Sequence, residues 1–86
     1  MSLLLVEDDR ADAVLVEDLI TDAVTDIQVV WAKSMADAER ELVSARPDCV
    51  LLDLHLPDAS GIDALNRIAN LDATVPIVVL TGLNDE

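Results

Sequence analysis

Four short apolar runs, at residues 3–6, 27–31, 49–52 and 77–80, constrain this chain more than any other feature. Each is four or five residues of nearly unbroken Leu, Val and Ile, the pattern of a parallel strand covered on both faces. A strand with one wet face would alternate instead. Between the runs the period turns helical. Ala11, Val14, Leu15, Leu19, Ile20 and Ala23 form the predicted inner face of a first helix, and Met35, Ala38, Leu42 and Ala45 that of a second. The second opens on Ser34 with Asp37 at capping-box spacing and ends before Pro47. A third starts near Gly61, turns Ile62, Leu65, Ile68 and Ala69 inward, and stops before Val75-Pro76. The resulting order, βαβαβαβ, requires a parallel sheet with right-handed crossovers and helices on its faces, the doubly wound α/β class.

Composition narrows what such a sheet can serve. Eighty-six residues bound the answer at one domain or part of one. A formal charge of −13 repels phosphate backbones and anionic lipid, so direct nucleic-acid or membrane-surface binding is not expected. A hydrophobic fraction of 52% and a mean hydropathy of +0.39 are too apolar for a disordered acidic tail. The core must be aliphatic, because Trp31 is the one aromatic residue; it reads as a packed strand end. Cys49 lies inside an apolar run and reads as a small buried thiol. With no basic leader before Glu7-Asp8-Asp9 and no apolar run near the ~18 residues of a membrane span, the expected location is cytoplasmic.

In doubly wound sheets, ligands bind beyond the carboxyl ends of the strands. The first run leads directly into Glu7-Asp8-Asp9, the third into Asp53, and the fourth into Thr81-Gly82. If strands one and three are neighbours, their ends lie ~4.8 Å apart and the carboxylates of Asp8 and Asp53 converge. Such a cluster repels itself unless a cation or a proton intervenes. Hard oxygen donors backed by water suit Mg²⁺ rather than zinc. A carboxylate beside Mg²⁺ can also attack a phosphoryl group. Asp53 is the candidate nucleophile, since it stands alone after an apolar strand and before the turn-forming Leu56-Pro57-Asp58-Ala59-Ser60-Gly61, which would hold it at the mouth of the site. Thr81 can donate its hydroxyl to a phosphoryl oxygen, and Asp9 reads as a helix cap.

Three blocks, Leu-Leu-Val-Glu-Asp-Asp at 4–9, Val-Leu-Leu-Asp-Leu-His-Leu-Pro-Asp-Ala-Ser-Gly at 50–61 and Pro-Ile-Val-Val-Leu-Thr-Gly at 76–82, together resemble the receiver domain of two-component response regulators. The resemblance implies a flavodoxin-like sheet of strand order 2-1-3-4. It makes Asp53 the acceptor of a phosphoryl group from a sensor histidine kinase or phosphotransfer protein. It assigns Mg²⁺ to Asp8 directly, to Glu7 through water, to Asp53 and to the backbone carbonyl of His55, with Thr81 as the switch hydroxyl. It implies an output domain or effector outside this sequence, and self-catalysed phosphotransfer rather than an enzyme acting on other substrates.

The family's fifth βα unit, with its lysine and switch aromatic, has no counterpart in residues 1–86; Lys33 stands elsewhere. The expectation is therefore a single partial receiver domain. Two other readings stand beside it. A truncated or degenerate receiver would act as a phosphorylation-independent association module, forming a homo-oligomer or exchanging a strand through an open edge. A phosphohydrolase resembling haloacid dehalogenases would also use an Asp nucleophile and Mg²⁺. That family's Asp-x-Asp follows its first strand, whereas Asp53 follows the third and position 55 is His.

Overall fold

A computed structural model describes residues 1–54 and 56–80 of the chain. Strands β1 (Ser2–Val6), β2 (Gln28–Ala32), β3 (Cys49–Asp53) and β4 (Ile77–Leu80) alternate with helices α1 (Arg10–Ala23), α2 (Met35–Ala45) and α3 (Gly61–Leu71). The strands form one parallel sheet in the order β2-β1-β3-β4, as expected. The second strand begins one residue later than predicted, and Asp53 is the last residue of its strand rather than the first of the loop.

Alternation along the strands divides the core in two. On one side Leu4, Val6, Val50 and Leu52 are buried against Met35, Ala38 and Leu42 of α2 and Ala64 and Ile68 of α3. On the other, Leu5 packs on Ala13 and Val16 of α1, with Ile20, Trp31, Leu51 and Leu80 at the margin. Only one helix covers this second side among the described residues, and its core is correspondingly smaller.

The predicted α2 face holds at Met35, Ala38 and Leu42, while Ala45 is exposed. On α3, Ile68 is buried and Leu65 half-buried against the core as predicted, Ala64 is buried beside them, and Ile62 and Ala69 are exposed. The predicted α1 face is mostly wrong. Ala13 and Val16 are buried and Ile20 is half-buried, while Ala11, Val14, Leu15, Leu19 and Ala23 are exposed. Helix α1 carries two apolar stripes, and periodicity cannot choose between them. The choice is made by the tight turn from β1, where the Asp9 side chain accepts from Ala11 N (2.9 Å) and Asp12 N (3.4 Å) and fixes the helix's phase. That phase turns small Ala13 toward Leu5, letting the helix approach the sheet closely.

Candidate functional site

The parallel register of β1 and β3 pairs Val6 with Leu52, so Glu7 and Asp53 are the next residues on adjacent strands. Glu7, Asp8 and Asp53 each place a carboxylate oxygen within 4.8 Å of those of the other two. Glu7 is 0% exposed and Asp53 6% exposed, while Asp8 is open to solvent. The sequence-predicted cluster is thus brought together with two members buried. His55 and Thr81 lie outside the described residues.

The backbone of Glu7 is held on both sides by β2. Its N–H donates to Ala32 O at 3.0 Å, extending the ladder, and its carbonyl accepts from Trp31 Nε1 at 2.6 Å. Its side chain accepts at Oε2 from Asp9 N (3.2 Å), and its buried carboxyl lies against that of Asp53. Burial, then the hydrogen bond and negative charge of Asp53 and the charge of Asp12, together outweigh the Asp9 amide and push the Glu7 carboxyl up to about 7. Glu7 therefore keeps its proton to a higher pH than a solvated carboxyl does.

The donor set is wholly carboxylate oxygen, with two carboxylates buried and one facing water. This fits a hard divalent cation that keeps several waters, Mg²⁺ above all. It does not fit zinc, which favours nitrogen and sulfur.

The loop after Asp53 is pinned by contacts the sequence did not reveal. The Asp58 carboxylate accepts from Met35 N (2.9 Å) and Ala36 N (3.2 Å), capping α2 from another segment of the chain. Those amides hold the Asp58 carboxyl below its usual range. Arg67 of α3 donates to both Glu39 oxygens, at 2.9 and 2.8 Å, and to Asp58 O at 3.5 Å. A Cβ on Gly61 would meet Leu54 Cδ2 at 3.0 Å, so glycine lets α3 start close against the residue that follows Asp53. A Pro-Asp turn signals a loop, but nothing local in the sequence says that its aspartate caps a helix 22 residues away.

Comparison with known proteins agrees with this geometry. The family model described as response regulator receiver domain matches residues 3–86. The chain is 40% identical over 85 residues to the transcriptional regulatory protein KdpE of Mycobacterium tuberculosis, covering 99% of this chain and 37% of that protein. It is 42% identical over 84 residues to the DNA-binding response regulator MtrA of Mycolicibacterium smegmatis, covering 96% and 35%. Among solved structures, the response regulator domain of Thermotoga maritima CheB superposes with a TM-score of 0.80 at 26% identity, covering 98% of this chain and 64% of that one. The MaeR response regulator bound to beryllium trifluoride superposes at 0.85 with 30% identity, covering 98% and 69%. The chain spans little more than a third of the curated relatives' length.

Proposed function

Because the chain belongs to the response regulator receiver family of two-component systems, we propose that Asp53 is its phosphoacceptor and that Glu7, Asp8 and Asp53 hold the Mg²⁺ the transfer requires. The observation that carries this reading is the convergence of the three carboxylates within 4.8 Å at the ends of adjacent strands. In this reading a carboxylate oxygen of Asp53 attacks the phosphorus of a phosphohistidine; the O–P bond forms as the P–N bond breaks, and the imidazole leaves with the electron pair. Bound Mg²⁺ supplies charge neutralisation for the phosphoryl oxygens. The protein's part is positioning: β3 presents Asp53 from rigid backbone, Asp58 and Arg67 fix the loop behind it, and Asp8 faces the water from which the cation arrives.

The His55 carbonyl and the Thr81 hydroxyl complete the proposed site as metal ligand and switch donor. Residues 1–86 form part of a single receiver domain that works in the cytoplasm, answers to a sensor histidine kinase or phosphotransfer protein, and regulates an output domain or partner without catalysis on other substrates. No helix among the described residues is long and apolar enough to cross a membrane. In the test, acetyl phosphate and Mg²⁺ add one phosphoryl group to a full-length version of the protein, seen by intact mass, and Asp53→Asn and chelator each abolish it. Equal labelling of the variant would overturn the assignment.

The association reading keeps one specific support. Val78 and Val79 of β4, at the sheet's edge among the described residues, are 49% and 37% exposed. A sheet edge of this kind invites pairing with a second copy. Sedimentation would show a dimer whether or not Asp53 is intact; a monomer at all concentrations would remove that reading.

A further inference from the structure

We propose that Trp31 is a positioning residue for the acidic cluster: its indole N–H holds the Glu7 carbonyl, and with it the peptide joining Glu7 to Asp8, in the orientation that serves the cation. The inference rests on the Mg²⁺ reading above. Glu7 lies one residue past the last paired position of β1, Val6 opposite Ala32. A residue at that place ordinarily keeps little ladder support, and its carbonyl turns to water or to whatever donor is near. Here the peptide groups on both sides of Glu7 are tied to β2, the amide to Ala32 O at 3.0 Å and the carbonyl to Trp31 Nε1 at 2.6 Å. Rotating the Glu7–Asp8 peptide would break the second bond, so the indole sets the direction in which Asp8 leaves the strand. Asp8 is the exposed member of the cluster and so the one whose direction packing does not otherwise fix.

The chemistry of the residue points the same way. Every other large side chain of the α1-side core is aliphatic, and Trp31 sits at its margin beside Leu5, Ala13 and Val16. An aliphatic residue would fill that margin equally well; what tryptophan adds is one donor, and it is spent on Glu7. The Lys33 ammonium, 5.9 Å from the ring centroid, adds a cation–π contact that steadies the ring.

The test uses the whole 86-residue chain and Mg²⁺ alone. With a single tryptophan in the sequence, the indole N–H gives one isolated proton resonance. It is expected to move saturably on Mg²⁺ addition, with the midpoint that calorimetry gives for binding. Trp31→Phe keeps most of the packing and removes the donor, and is expected to bind Mg²⁺ about three- to tenfold more weakly, the range a single lost hydrogen bond spans. Ile20→Val trims the same cluster without touching the bond and is expected to leave affinity unchanged. An indole resonance that stays still while calorimetry reports binding would overturn the assignment; it decides the matter even if Trp31→Phe does not fold. Equal affinity in folded Trp31→Phe, or an equal loss in Ile20→Val, would also overturn it. Absence of Mg²⁺ binding by the unaltered chain would overturn the metal reading itself, and this inference with it.

Discussion

Glu7 offers the sharpest quantitative handle, because it is a fully buried acid whose carboxyl is pushed from its usual 4.5 up to about 7. In the unfolded chain it ionises at the usual value; in the folded chain burial and the nearby Asp53 keep it protonated. The unfolded state therefore releases that proton first, and folding stability falls as pH rises from about 4.5 to about 7. The penalty is absent below that window and fully present above it. At about 1.4 kcal/mol per pH unit, the rise amounts to about 3 kcal/mol. Glu7→Gln keeps the shape and removes the ionisation. In EDTA, urea unfolding should show the two chains alike near about pH 4.5 and the Gln variant more stable by about 3 kcal/mol near about pH 8. Added Mg²⁺ should then stabilise the unaltered chain at the higher pH and leave the variant nearly unmoved. Parallel stability curves across the window would refute the reasoning, since they would mean that Glu7 ionises in the fold as freely as in water.

Other outcomes follow from the same structure. Asp58→Ala uncaps α2 and releases the loop behind Asp53; thermal or urea unfolding should show a loss of about 1 kcal/mol, with phosphoryl labelling slowed as well. Arg46 closes α2 at φ 48°, the left-handed region, so Arg46→Gly should be neutral to stabilising by about 0.5–1 kcal/mol, read from the urea midpoint. With a net charge of −13, raising NaCl from about 0.01 to about 1 M should raise the melting temperature by screening self-repulsion, and a flat response would show that the carboxylates are already compensated.

Much of this architecture is legible in the sequence, for reasons that residues make plain. Strands buried on both faces read as unbroken apolar runs, so Leu4 and Leu52 declare themselves. The carboxylates that follow them declare the site, because parallel strands bring their carboxyl ends to one edge. Helix faces are harder. Val14, Leu15 and Leu19 outweigh Ala13 and Val16 in apolar bulk, yet α1 turns the smaller stripe inward because the Asp9 cap fixes its phase and small Ala13 fits against Leu5. Side-chain bonds between distant segments leave no periodic trace. The caps that Asp58 gives α2 and the bond from Trp31 to Glu7 join residues 22 to 24 positions apart, and only the folded sheet brings them together.

The central claim, that Asp53 takes the phosphoryl group with Mg²⁺ held by Glu7 and Asp8, is tested most directly by locating the phosphoryl group. After labelling with acetyl phosphate and Mg²⁺, borohydride reduces an acyl phosphate to the alcohol, and peptide mass spectrometry reads the modified position. The account predicts reduction at position 53 alone, lost with EDTA and in Asp8→Asn. Reduction at another acid, or labelling that persists without the metal, would contradict it.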